Sequence, residues 1–167
     1  MHEEVVEQIE EQCEERAEIV EEKKLTTWLI FSIAEKKYAM RSADVLEIIR
    51  DVAVYKLPFM PSYIEGVLNR RGDPFTVINP RSLIGDEETS SPEEPLFMIL
   101  KRDDDQISIH ISDILFFTDI EDGDLNIIPG TNEEGFFLGT LAYGGEEIPA
   151  LNPAAFELLI RKDLGSA

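Results

Sequence analysis

The sequence predicts a mainly β protein built from two similar small barrels, and three observations carry that prediction. From Thr27 onward the apolar residues fall into short runs rich in aromatic and β-branched side chains, separated by Gly, Pro and acidic clusters. The second half of the chain repeats the first in register. An apolar fraction of 43% over 167 residues is enough for a packed interior, which excludes wholesale disorder and suits one domain or two small ones sharing a core.

Residues 1–24 stand apart from this pattern. They hold ten Glu against Arg16, Lys23 and Lys24, a net of −7. Val6, Ile9, Cys13, Ala17 and Val20 recur there at spacings of 3 or 4, the period of an amphipathic helix with a narrow apolar stripe. Glu3 and Glu7 suit the positive end of such a helix, and Lys23 and Lys24 the negative end. The stripe fits first a helix that lies on its own domain or frays in solution, and second one that binds a partner or a second copy. We place the boundary between this extension, 1–24, and the β domain, 25–167.

Trp28-Leu29-Ile30-Phe31-Ser32-Ile33 reads as a strand, followed by the charged turn Glu35-Lys36-Lys37 and a second strand from Tyr38. Ala43 to Ile49 fits a strand or a short helical turn. Pro58 and Pro61 bracket a loop, because proline restricts its own backbone and that of the residue before it. Phe75-Thr76-Val77-Ile78 is a further strand, ended by Asn79-Pro80, and residues 86–95 form the clearest loop. The repeat then begins. Trp28 to Phe31 match Phe97 to Leu100 at an offset of 69, with Tyr38, Met40 and Asp44 falling on Ile107, Ile109 and Asp113. Gly66, Leu68, Gly72, Ile78, Asn79 and Pro80 match Gly139, Leu141, Gly145, Leu151, Asn152 and Pro153 at an offset of 73. This predicts two similar β subdomains of about 60 residues each, closed into barrels that hide their sheet edges. Gly144-Gly145 reads as a hairpin turn, and Phe156 to Ile160 as a short C-terminal helix covering one barrel.

Composition narrows the function classes. Thirty-five acidic side chains against 15 basic ones give a formal net charge of −20, which opposes binding to nucleic acid or to an anionic membrane. No apolar run is long enough to span a bilayer, and the N-terminus lacks the basic-then-apolar pattern of a signal peptide. The single Cys13 leaves no internal disulfide, so a cytoplasmic protein with no membrane insertion is expected. Catalytic residues are not identified. His2 and His110 are the only histidines, His110 is expected to face solvent between Ile109 and Ile111, and Cys13 sits among acids that disfavour its thiolate. Asp119, Glu121, Asp122 and Asp124 resemble a calcium loop in composition but not in spacing. No metal and no cofactor is therefore expected. The feature that remains is Asn69-Arg70-Arg71-Gly72-Asp73, a basic spot on a tight turn of an acidic protein. Two arginines there read as solvated turn charges or as an interface anchor.

The run from Pro58 to Gly72, Pro-Phe-Met-Pro-Ser-Tyr-Ile-Glu-Gly-Val-Leu-Asn-Arg-Arg-Gly, resembles the signature of CheW-type chemotaxis coupling proteins. Val45-Leu46-Glu47-Ile48 resembles the family's Val-x-Glu-Ile motif, and Val77 to Arg81 stands in for its Val-Ile-Asp-Leu-Arg. The resemblance covers about residues 27–160. It implies two small five-stranded β-barrels of the SH3/OB kind around a shared core, and a non-catalytic adaptor that bridges transmembrane chemoreceptors to the regulatory domain of a CheA-type histidine kinase. It implies that the receptor's cytoplasmic helical tip packs in a groove between barrels, and it places Val45, Glu47, Gly66, Asn69 and Arg71 at that groove, with Leu68 beside them adding apolar contact. An Arg71–Glu47 pair is expected to order the site. Arg70 departs from the family pattern by replacing Leu, Ser108 and Ser112 replace a glycine and an aspartate, and Thr131 stands where a second proline usually follows Pro129. The departures fit an auxiliary member serving a pilus or gliding pathway as well as a chemotaxis adaptor recruited to receptor arrays at the inner membrane face. A different class, a β-barrel module for oligonucleotides or a small ligand, is opposed by the charge and by the lack of a basic, aromatic-lined face.

Overall fold

The structure, a computed structural model, describes residues 24–85, 95–127 and 135–165. The helix expected over residues 1–24 lies outside these apart from Lys24, and so do Pro129 and Thr131. The order is β1 (Leu25–Ile33), β2 (Lys36–Arg41), β3 (Val45–Arg50), β4 (Val54–Tyr55), β5 (Ile64–Arg70), β6 (Asp73–Ile78), α1 (Arg81–Ile84), β7 (Leu96–Leu100), β8 (Ile107–Ile111), β9 (Asp113–Glu121), β10 (Leu125–Ile127), β11 (Phe137–Tyr143), β12 (Glu146–Leu151) and α2 (Pro153–Leu164).

Among the described residues twelve strands form two six-stranded sheets. Sheet I runs β10-β11-β12-β2-β1-β9, and sheet II runs β3-β7-β8-β6-β5-β4. Adding six to each strand number of the first half turns one order into the other, so the repeat seen in the sequence is a structural one. Its registers agree in detail. Val77 stands opposite Ser108 in the parallel β6–β8 pair, and the repeat equivalents Ala150 and Ala39 stand opposite each other in the parallel β12–β2 pair.

Neither sheet is made from one half of the chain. The β1–β2 hairpin joins β9–β12, and the β7–β8 hairpin joins β3–β6. Burial explains the exchange. In β1, Leu29, Phe31 and Ile33 enter a core shared by the two sheets, while Trp28 and Ile30 on the opposite face enter the interior of sheet I. In β7, Leu96, Met98 and Leu100 enter the shared core, and Phe97 and Ile99 enter the interior of sheet II. Strands that are apolar on both faces need a layer on each side, which is why they read as unbroken apolar runs.

The expected five-stranded barrels are six-stranded sheets that curl without joining backbone to backbone. In sheet II the edge strand β4 covers only Leu68 and Val67 of β5, so the rest of β5 is closed against β3 by side chains. Ile49 from one edge and Val52 and Val54 from the other pack on the same interior as Leu68, Phe75 and Phe97.

Helix α2 is longer than the expected Phe156–Ile160. Its start is set by Asn152, whose Oδ1 accepts a hydrogen bond from the Ala154 amide at 3.2 Å, and by Pro153 in the first turn. Phe156 and Ile160 fill the shared core. The buried Tyr63 hydroxyl donates to Asp163 near the helix end. Burial first, then that hydrogen bond and the charge of Asp163, push the Tyr63 hydroxyl well above its ordinary value. The folded chain keeps this proton where the unfolded chain releases it at about pH 10. The contribution is therefore full below that pH and is lost as pH climbs above it. Tyr63→Phe should flatten the alkaline limb of thermal midpoint against pH, and an unchanged slope would assign that limb to other groups.

Candidate functional site

The basic turn closes the β5–β6 hairpin. Arg70 and Asp73 are its last pair, leaving Arg71 and Gly72 as a two-residue loop with φ of 52° and 90°. Two left-handed residues match the twist of the flanking strands, and the Asn69 Oδ1 accepts the Gly72 amide at 2.8 Å. The repeat builds the same turn from Gly144 and Gly145, at φ of 58° and 80°, between the paired Tyr143 and Glu146. Arg71 thus occupies a backbone position that costs a side chain about 1 kcal/mol. Its own side chain is 77% exposed. We expect Arg71→Gly to leave the thermal midpoint unchanged or raise it; a clear drop would show that the guanidinium holds the fold.

Glu47 has two partners: the expected Arg71, whose Nη2 lies 4.0 Å from one carboxylate oxygen, and Arg70, which is bonded to the other through Nε and was not expected there. Strand alternation brings Arg70 to it. Arg70 shares a face of β5 with the buried Leu68, which points into sheet II, and Glu47 shares a face of β3 with Ile49 on that same interior. The pair spans the unclosed seam between β3 and β5 at the mouth of the barrel.

The repeat offers a comparison. Offsets of 69 and 73 carry Glu47 to Phe116 and Arg70 to Tyr143, and these two rings meet at 5.1 Å between β9 and β11. One barrel mouth is closed by charge and the other by aromatic contact.

The remaining motif residues divide by burial. Leu68 is fully buried in the interior of sheet II, so the expected apolar contact with a partner is corrected: it supports the site from behind. Val45 is half-buried against the shared core. Gly66 lies at a bulge opposite Val77, where a β-carbon would run into the Tyr55 carbonyl. Asn69 is exposed, and its amide oxygen serves the turn. Arg71 projects into solvent from the turn.

Two outward residues escaped the sequence reading. Leu46, half exposed, and Val67 line an open groove of about 600 Å³, together with Thr76, Lys101, Gln106 and Ile160 of α2. Alternation along β5, which puts Leu68 inside, already put Val67 outside. At the end of β4 and beyond it, Tyr55, Leu57 and Phe59 are also exposed, Phe59 completely and at φ of 61°.

His110 does not face solvent as expected. It stands opposite Phe97 across β7 and β8, with ring centroids 5.1 Å apart, and its Nδ1 lies 2.8 Å from Glu65. A strand inside a sheet has no solvent face when both sides are covered, and β8 is such a strand. Among the described residues no group of three or more His, Cys, Asp or Glu could hold a metal ion, and no helix is long and apolar enough to cross a membrane.

Comparisons with known proteins agree on one family. The chemotaxis protein CheW of Helicobacter pylori is 25% identical over 114 residues, spanning 68% of this chain and 67% of that protein. The crystal structure of the scaffolding protein TtCheW from Thermoanaerobacter tengcongensis superposes with a TM-score of 0.71 at 21% identity, covering 77% of this chain and 90% of that one, and shows the same fold. Residues 27–157 match the CheW-like domain, which takes in both sheets, the hairpin carrying Arg71 and the start of α2, and the chain belongs to that family.

Proposed function

We propose that this chain is a non-catalytic chemotaxis scaffold that couples the cytoplasmic tip of a transmembrane chemoreceptor to the regulatory domain of a CheA-type histidine kinase, in the cytoplasm at the inner membrane face. The observation that carries this reading is the match of residues 27–157 to the CheW-like domain. Relatives named as a chemotaxis protein and as a scaffolding protein support it. The site residues fit the work of an adaptor. Gly66, Leu68 and Asn69 build a rigid hairpin, Val45 anchors the neighbouring strand, and Glu47 and Arg70 close the barrel mouth beside them. The exposed product of that framework is Arg71, next to a groove with an apolar wall at Leu46 and Val67. An amphipathic helix suits such a groove, with rim charges fixing its register.

Purified receptor tips and kinase regulatory domain, each offered to the full chain in a pull-down and then in titration, test the reading. Both should be retained. Arg71→Gly should remain folded and weaken receptor binding by about 2 kcal/mol, roughly 30-fold. Retention of neither partner would overturn the adaptor reading. Unchanged receptor affinity for Arg71→Gly would return this arginine to the role of a solvated turn charge.

A further inference from the structure

We infer that residues 1–24 dock on their own domain as a helix laid along β9, with the stripe Val6, Ile9, Cys13, Ala17 and Val20 seated on an exposed apolar ledge made by Leu25, Leu115 and Phe117. The inference concerns a surface apart from the Arg71 hairpin and does not rest on the adaptor reading.

The repeat points to what should cover this ledge. In the second half α2 runs for twelve residues, and its Ile160 lines one groove together with Leu46 of β3. Ile48, two residues on, packs against the shared core that Phe156 and Ile160 of the same helix enter. The offset of 69 carries Leu46 to Leu115 and Ile48 to Phe117, and the offset of 73 carries the start of α2 to α1. Yet α1 stops after four residues at Gly85, whose φ of 80° ends the helix. The place of Ile160 then falls to Glu87. Phe117 is left 61% exposed and Leu115 40%, with Leu25 at 60%. Residues 86–94, which follow α1, contain no large apolar side chain to stand in for the missing turns.

The N-terminal segment has the stripe, the position and the length. The Lys24 carbonyl accepts a hydrogen bond from the Asp122 amide at 3.1 Å, and Leu25 stands opposite Glu121, so the segment leaves β1 at one end of β9. Leu25 shares a face of β1 with Leu29, and Phe117 stands opposite Leu29 on that face. From Val6 to Val20 a helix rises about 21 Å, within the roughly 30 Å spanned by the nine residues of β9.

Charge sets the direction. Arg16, Lys23 and Lys24 lie toward the attachment, where Asp119, Glu121 and Asp122 stand at the end of β9. Glu3 to Glu15 bring seven carboxylates and no Lys or Arg. The opposite end of β9 adjoins Arg81, which lines a cleft with Ile33 and Ser112, and Lys36, which pairs with Ile33. A helix folded back along β9 therefore meets opposite charge at both of its ends.

Paramagnetic relaxation in the full chain tests this with no partner present. A nitroxide is attached to Cys13→Ala/Glu11→Cys, on the side of the helix away from the stripe, and amide signals are compared before and after ascorbate reduces it. The amides of Leu115 and Thr118 should lose their signal to the nitroxide, and adding either Ile9→Asp or Phe117→Asp should restore it. Signal loss that persists in Phe117→Asp, or that falls on Leu46 and Val67 instead, would place the segment elsewhere and overturn the inference. An unaffected spectrum would do the same. A mixture of nitroxide-bearing chains with isotope-labelled chains free of nitroxide should show no loss; equal loss there would give the ledge to a second copy and overturn docking within one chain. Leu25→Asp, at another exposed position of the ledge, takes the place of Phe117→Asp should that variant not fold.

Discussion

Gly66→Ala is expected to be the most damaging single substitution in the motif, through the fold and not through a partner. A β-carbon on Gly66 would lie 2.2 Å from the Tyr55 carbonyl oxygen, 2.8 Å from its carbon and 3.1 Å from a Val54 methyl. The obstructing atoms are mostly backbone, so no side chain can rotate away. Relief requires β4 to leave β5, and β4 holds it by the pairs of Val54 and Tyr55 alone. The φ of 152° adds a conformation that L residues seldom adopt. Overpacking and backbone strain together should cost about 3 kcal/mol or more, a fall in thermal midpoint of roughly 6–12 °C. Gly72→Ala is the control, because its β-carbon would meet nothing within 4 Å and only φ of 90° opposes it. Thermal melts of the two variants decide the matter. Equal losses would show that the approach of Tyr55 is not the reason for glycine at position 66.

Arg102→Ala should come next in size. Glu157 of α2 is buried, and the Arg102 Nε donates to it at 2.6 Å from the segment between β7 and β8. Arg161 supplies a second contact at 3.1 Å from the same helix and also reaches Asp105 at 2.7 Å. Truncating Arg102 leaves a carboxylate in an environment with few waters and one remaining partner. The expected loss is about 2–3 kcal/mol, below the full cost of an orphaned buried charge because Arg161 stays. Glu157→Gln in the Arg102→Ala background should return part of it, since a neutral amide is cheaper to bury. Denaturant midpoints for the single and double variants measure both effects. A double variant no more stable than Arg102→Ala would mean that packing of the arginine stem, and not charge, is what was lost.

Most of the architecture was legible because its strands announced themselves. The apolar runs of β1 and β7 marked them as strands, and Gly144-Gly145 marked a hairpin turn, whereas the bulge at Gly66 was not read. What the runs could not report was pairing. Similarity between halves says that Trp28 and Phe97 occupy equivalent places, but not that β1 lies beside β9 while β7 lies beside β3. The site was legible in part. The motif led to the correct hairpin, and alternation along β5 was sufficient to place Leu68 inside, yet shared motif membership grouped it with exposed residues. The choice of Arg70 as partner of Glu47 was hidden for a different reason: it depends on the curl that brings an edge strand back to β5. Asn152-Pro153 carried a helix-start signal that went unused, because the pair was taken only as the repeat match of Asn79-Pro80.

The exchange of hairpins between halves bears on how the chain can be born. Ribosomes deliver it from the amino terminus, and β1 must wait for β9 and β2 for β12 before either has both neighbours. A half-made chain therefore exposes Trp28 and Ile30 with nothing to cover them, and no early stopping point offers a finished barrel. Contacts this distant in sequence make assembly slow and leave sticky edges waiting. In nascent chains halted at successive lengths, protection of β1 from protease should arrive late and in one step, after the final strand has emerged, whereas protection at the midpoint would reveal a provisional pairing that the finished protein discards.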